Sequence, residues 1–232
     1  METQKNTWEI EKDRTSMACK IGYKILSERG AGLIWMSAGN SYFTEEVIEK
    51  LLAFANENLS KIVITAPNEP AEHTYRALGY KGNEIERKAR LNANLLKNRA
   101  KIIIEKMRER KVDVEVNIID DINSVKGYKE NYKYILKLYR TNPLFKADAK
   151  EVTQEFLRNK LKEGIKLEKA TSQGVFYLLK ELAFVMASPS IFDSKKIVYI
   201  YHKEWNIYDK LVSGFYDGLP KENLGFLLVR TK

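Results

Sequence analysis

Leu33-Ile34-Trp35-Met36-Ser37-Ala38-Gly39-Asn40-Ser41-Tyr42-Phe43 decides how the rest of the chain is read. Bulky apolar residues run straight into small and polar ones, and an amphipathic segment follows. A buried strand that stops on a sharp turn has this pattern, and such a turn holds a side chain at the C-terminal edge of a sheet. Ser37 is the side chain so held and is a candidate nucleophile. The same residues also suit a plain strand-to-helix turn in which Ser37 and Asn40 only cap the next helix. This stretch alone leaves both readings open.

Working outward, Ser16 to Arg29 reads as a short helix ending at Gly30, and Ala31 to Met36 as a strand. Thr44 can cap a helix that buries Val47, Ile48, Leu51, Leu52 and Phe54 and exposes Glu45, Glu46 and Glu49. Lys61 to Thr65 is a second buried strand, closed by Pro67. Strand, helix and strand in that order make a right-handed parallel unit, so a Rossmann-like parallel sheet flanked by helices is expected. No Gly-x-Gly-x-x-Gly loop is present, which argues against a dinucleotide.

Further on, Pro70 to Tyr80 reads as a short helix, Asn83 to Lys111 as a long one and Val112 to Ile119 as a third strand. Ile122 to Ser188 is helical in three segments, broken near Pro143 and Gly164. Lys195 to Tyr201 and Gly225 to Val229 are the last strands. The expectation is one α/β domain over residues 1–232, with a helical insertion before the last strands. Residues 1–14 are read as a mobile tail or edge.

Composition narrows the class. Of 232 residues 44% are hydrophobic and 31% charged, enough to bury a full core. A net charge of +9 points weakly to a polyanionic partner. Cys19 is alone, so no disulfide framework is expected, and His73 and His202 lie too far apart to suggest a zinc site. Met1 to Arg14 is polar, and no apolar run is expected to approach the ~18 residues of a membrane span. A cytoplasmic monomer with no metal and no membrane is the resulting expectation.

The helix after Gly82 carries the most informative charge. Ile85, Ala89, Ala93, Leu96, Ala100, Ile103 and Met107 define one buried stripe. Arg90, Lys97, Lys101 and Arg108 form a row on one flank, with Arg87 close by, and Lys88, Arg99, Lys106 and Arg110 form a second row. No acidic residue lies between Lys88 and Ile104, whereas solvated helix faces usually mix both signs. A row of like charges ~25 Å long suits the phosphates of an RNA stem, read by backbone shape. A plain surface helix in a Lys-rich protein is the other reading.

Serine hydrolysis needs an imidazole near the hydroxyl. Trp35-Met36-Ser37-Ala38-Gly39 lacks the first Gly of the hydrolase elbow, and no Asp is obviously placed to orient His202. A different set is better placed. Tyr177 and Glu181 stand four apart on an otherwise apolar helix, where two polar groups must find partners or line a cavity. Tyr201 and His202 end a strand and, in a parallel sheet, share an edge with Ser37.

Ser37-Ala38-Gly39-Asn40-Ser41-Tyr42-Phe43, the Tyr177-x-x-x-Glu181 pair and Tyr201-His202 together resemble the tRNA-dependent cyclodipeptide synthases, in their Asn-Tyr-His branch. The resemblance runs from about residue 20 to 205 and includes the basic helix. It implies a fold similar to the catalytic domain of class I tyrosyl- and tryptophanyl-tRNA synthetases, without their ATP motifs. No His-Ile-Gly-His or Lys-Met-Ser-Lys-Ser occurs. Neither ATP nor a metal nor DNA is implied; the partners are two aminoacyl-tRNAs per turnover.

The resemblance also implies roles. Ser37 takes the aminoacyl group of a first aminoacyl-tRNA, and Tyr177 and Glu181 hold its α-amino group. A second aminoacyl-tRNA then gives a dipeptidyl-enzyme, and ring closure releases a diketopiperazine. Tyr201 assists positioning and proton transfer; Gly39, Asn40 and His202 support the site. Arg87, Lys88, Arg90, Lys97, Arg99 and Lys101 contact tRNA, although Asn94 and Asn98 thin the row. Trp35 stands where the family commonly has a small residue, so the first side-chain pocket, formed with Leu33, Val63, Thr65, Phe184 and Tyr199, is expected to be narrowed. A flat side chain stacking on the indole is expected there, rather than a large unbranched aliphatic. Asn159 is expected to reach a second pocket. An esterase-like hydrolase and a non-catalytic RNA-binding domain are the alternatives.

Overall fold

The computed structural model describes residues 8–11, 15–109 and 114–231. Most of the expected tail, the end of the basic helix at Lys111 and the start of a strand at Val112 lie outside them. The first half of the chain gives β1 (Trp8–Ile10), α1 (Met17–Ser27), β2 (Ala31–Trp35), α2 (Glu45–Asn58), β3 (Lys61–Thr65), α3 (Asn68–Ala77), α4 (Asn83–Arg108) and β4 (Glu115–Ile119). The second half gives α5 (Tyr128–Thr141), α6 (Pro143–Arg158), α7 (Leu167–Ala187), β5 (Ile197–Tyr201), α8 (Asn206–Val212) and β6 (Leu224–Thr231).

The expected strands are present, and three helices fill the stretch before β5. Asn142 starts α6 by accepting the Phe145 amide at 2.9 Å, with Pro143 in the first turn, where its missing N–H costs nothing. Of the two readings of residues 1–14, mobile tail or edge, Trp8–Ile10 takes the second: it is an antiparallel edge strand on β6, with Trp8 edge-on to Phe54 at 4.8 Å. One element departs from the sequence pattern. Helix α8 is only seven residues long, too short for periodicity to show.

The sheet order is β1-β6-β5-β2-β3-β4, parallel except for β1. The chain winds outward from β2 through β3 to β4, then returns to place β5 on the other side of β2. The strand order therefore reverses between β2 and β5, and the crevice beyond their C-terminal ends is where open α/β sheets bind ligands. Ser37 follows one of these strands and Tyr201 ends the other.

Both sheet faces are covered. Alternation along β2 sends Leu33 and Trp35 toward α5 and α7, and Ile34 and Met36 toward α2 and α4. Helix α7 with its short continuation, Leu167–Phe192, is long and apolar enough by composition to cross a membrane, contrary to the expectation that no run would be. Two thirds of its most apolar window (67%) is buried inside the protein, because it packs on the sheet, on α3, α5 and α6.

Candidate active site

Met36 continues β2 by donating its amide to the Thr65 carbonyl at 2.8 Å, and the chain then turns. The Asn40 amide donates to the Ser37 carbonyl at 3.0 Å, and the Asn40 side chain accepts the Tyr42 amide at 3.1 Å. Gly39 has φ of +80°, and a Cβ there would lie 2.7 Å from the Tyr75 hydroxyl. Only glycine fits this bend. Thr44, not Ser37 or Asn40, caps α2 by accepting the Val47 amide at 3.3 Å. The helix-cap reading of Ser37 therefore fails, and the start of α2 does not adjoin Ser37 as the abrupt boundary had suggested.

Ser37 is 9% exposed and opens onto a cavity of about 360 Å³. Ala38 and Asn40 line it beside Ser37, Tyr177 and Glu181 come from α7, and Tyr201 comes from the end of β5. The far wall is α6 and the turn after it (Val152, Phe156, Asn159 and Lys160), and the rim adds Lys203, Glu204 and Trp205. The structure thus brings Ser37, Tyr177, Glu181, Tyr201, Asn40 and Asn159 around one space. Apart from Asn159, the α6 wall is absent from the sequence reading; the spacing of four between Val152 and Phe156 is the available signal.

The polar groups are tightly linked. The Ser37 hydroxyl acts on both Tyr177 and Tyr201, lowering each phenol against the effect of burial. The Trp35 indole donates to the Tyr177 oxygen at 2.6 Å, and the Tyr199 hydroxyl donates to Glu181 at 2.7 Å. Burial pushes the Glu181 carboxyl up to about 8, against the lowering effect of the Tyr199 hydrogen bond. Burial, and after it Glu181, also raises Tyr177, while Ser37 and Trp35 act the other way. Burial likewise raises Tyr199 and Tyr201. All three phenols are therefore neutral proton donors in the working range.

The histidines stand apart. His202 stacks on Tyr42 with ring centroids 3.6 Å apart, and its Nδ1 finds no partner among the described residues. Burial, helped by Lys203, pulls it down to about 4. His73 packs beside Phe176 at 5.4 Å and is also lowered to about 4, by burial and by Lys180. Neither ring lines the cavity, so no imidazole base serves Ser37. Among the described residues no group of three His, Cys, Asp or Glu side chains is arranged to hold a metal.

The expected first side-chain pocket is filled. Leu33, Trp35, Val63, Thr65, Phe184 and Tyr199 are all 0% exposed and none lines the cavity. Trp35 lies 5.3 Å from the Phe184 ring, so its indole offers no open face to a flat ligand, and the stacking expectation is corrected. The reason is position: β2 sits between β3 and β5, and α7 closes over it.

The basic helix also sorts differently from its sequence rows. Lys97 is 9% exposed and pairs with Asp120 at 3.0 Å, turned toward the sheet, so it is not a free phosphate contact. Arg99 donates to the Phe43 carbonyl at 3.3 Å, and Lys88 lies over the Tyr80 ring at 4.8 Å. Arg87 and Arg90 remain largely exposed, with only loose contacts of 4.0 and 3.9 Å to Glu84 and Glu86, and Lys101 is exposed.

Residues 17–231 match the family model described as cyclodipeptide synthase. A cyclo(L-leucyl-L-leucyl) synthase of Bacillus subtilis (strain 168) is 21% identical over 214 residues, 89% of this chain and 85% of that protein. A solved cyclodipeptide synthase from Staphylococcus haemolyticus superposes with a TM-score of 0.82 at 19% identity, over 97% of this chain and 100% of that one. The Mycobacterium tuberculosis structure that demonstrated a relation of these proteins to type I tRNA synthetases superposes with a TM-score of 0.77 at 17% identity, covering 99% and 96%. A synthase from Candidatus Glomeribacter gigasporarum, solved bound to Phe-tRNAPhe, gives 0.58 at 14% identity, covering 85% and 86%. The α/β sheet with its switch-point crevice is thus the synthetase-related architecture expected from the motifs, and the chain belongs to the cyclodipeptide synthase family.

Proposed function

We propose that the protein joins the aminoacyl groups of two aminoacyl-tRNAs into a diketopiperazine by a ping-pong route through Ser37. One observation carries this: a serine at the switch point lines one cavity with two neutral tyrosines, Tyr177 and Tyr201, and a buried carboxyl group, Glu181. The Ser37 oxygen attacks the ester carbonyl of the first aminoacyl-tRNA. A C–O bond to serine forms, the C–O bond to ribose breaks, and the serine proton passes to the ribose oxygen. Aminoacyl esters are already activated, so a neutral serine without a histidine base suffices. The Ala38 and Gly39 amides, in the turn that follows Ser37, make no hydrogen bond among the described residues and are the donors we assign to the oxyanion.

Tyr177 and Glu181 hold the α-amino group of the acyl-enzyme. Its nitrogen must lose a proton before attacking the second aminoacyl-tRNA. A free α-amino group titrates at about 7.7–8.0, close to the value of about 8 for Glu181. Matched acid and base exchange a proton at little cost. The new amide yields a dipeptidyl-enzyme and frees the second tRNA; the terminal amine then attacks the serine ester, closing the ring and regenerating Ser37. Tyr201 guides the proton between Ser37 and the leaving oxygen, and Asn40, Gly39 and His202 keep the turn and strand end in register. Arg87, Arg90 and Lys101 hold tRNA phosphates, a role supported by their exposure and by the tRNA-bound relative. The whole chain acts as one catalytic unit, in the cytoplasm, where aminoacyl-tRNAs are made.

Intact-mass analysis of trapped protein tests the route. Wild type should gain one aminoacyl residue and Ser37→Ala none, and bacteria expressing wild type should release a diketopiperazine. An unmodified wild-type Ser37 under single-turnover conditions would overturn it.

A further inference from the structure

The space behind Ser37 is occupied by the protein itself. Trp35 ends β2 two residues before Ser37, and Tyr199 stands opposite Leu33 on β5. Both are 0% exposed, and each ends on one member of the amine-holding pair: Trp35 on Tyr177 at 2.6 Å, Tyr199 on Glu181 at 2.7 Å. Indole nitrogen only donates, so the Tyr177 oxygen must accept from it. The phenol proton is then left free to point into the cavity that Tyr177 shares with Ser37.

We propose that Trp35 and Tyr199 fill the room a first side chain would need and brace Tyr177 and Glu181 in its place, so that the first residue loaded on Ser37 is a small one of the glycine, alanine or serine class. The inference rests on the acyl-enzyme reading above and adds its substrate. With the carbonyl on Ser37 and the amine on Tyr177 and Glu181, two substituents of the loaded Cα are fixed. The side chain has two directions left. Toward the sheet it meets Trp35, where no space exists. Toward the cavity of about 360 Å³ it takes the space that the second residue must enter. Either way a bulky first side chain is excluded, and the cavity is left to the second residue.

The test is the identity of the residue on Ser37. Wild-type protein is given tRNAs charged with the twenty amino acids, and the trapped adduct is weighed. A glycyl, alanyl or seryl adduct at least tenfold over leucyl, methionyl or phenylalanyl is expected. Trp35→Gly should open the space and raise leucyl or phenylalanyl loading at least tenfold. Trp35→Phe keeps the bulk and loses the donor, so it should keep the small-residue preference while loading more slowly; it also serves should the glycine variant not fold. Wild type loaded as readily by a large residue overturns this inference alone. An absence of any adduct removes the acyl-enzyme reading, and this inference with it.

Discussion

Helices α4 and α7 are both long, and each breaks its own rule in the opposite sense. Helix α7 is apolar, yet it buries Lys180 and Glu181 and half-buries Tyr177. Helix α4 is charged, yet it exposes Leu91, Leu95 and Ile102 and turns Lys97 inward. In α7 every polar exception is tied to something: Glu181 to Tyr199, Lys180 to Glu69 at 2.7 Å, and Tyr177 to Trp35. Buried polar groups cost free energy unless partnered, so such a helix is retained for what its polar groups do. In α4 the outward cations are loosely held, and their energy is realised only against an external anion. On the proposed function, one helix carries chemistry and the other carries docking.

Glu181→Gln separates the two most sharply. Losing the carboxylate should reduce product formation by roughly 10²–10⁴, the usual range for a positioned acid–base group. The salt dependence set by α4 should stay unchanged. Stability should move the other way. The Glu181 carboxyl rises from 4.5 to about 8 on folding, so the folded protein binds its proton more tightly. The stability this contributes is fully present below about pH 4.5 and is lost as pH rises through about 8. Thermal melts between pH 5 and 9 should fall with pH in wild type and be flatter in the variant.

Tyr199→Phe asks whether the brace tunes the chemistry. The Tyr199 hydroxyl holds the Glu181 value down, so its loss should raise that value further. The pH profile of acyl-enzyme turnover should keep its shape with its inflection moved above about 8. A lower rate with an unmoved inflection would mean Tyr199 only packs.

What is legible in the sequence follows from range. The Ser37 turn, the Tyr177–Glu181 pair and Tyr201 are local patterns, and strand parallelism places them at one edge. Trp35 is legible as bulk but not as a filled wall, because that depends on Phe184, Tyr177 and Tyr199, all contributed from far along the chain. The α6 side of the cavity is hidden for the same reason: Val152 and Phe156 look like any amphipathic face until α6 is laid over Ser37. Trp8–Ile10 has too few residues to show an alternation before it meets β6.

Arg90→Ala with Lys101→Ala addresses docking. Each cation removed from a phosphate should lower the slope of log affinity against log salt by about 0.7–0.9. At low salt the apparent affinity should fall a few-fold, with turnover at saturating tRNA unchanged.

The smallest effect belongs to a lysine that sequence alone would pair with Lys101. Lys97 and Lys101 are one helical turn apart, equally charged and in one row. The rotation of α4 that buries Ala93, Leu96 and Ala100 carries Lys97 to 9% exposure, where it meets Asp120 just beyond β4. The Asp120 side chain is 63% exposed, so the pair is half-solvated and worth at most about 1 kcal/mol. Lys97→Met, which keeps the packing stem, should lower the melting temperature slightly and leave the salt slope of tRNA binding where it was. If Lys97→Met instead flattens the slope as Lys101→Ala does, the ammonium leaves Asp120 for a phosphate on binding, and the division between an inward and an outward face of α4 does not hold in the complex.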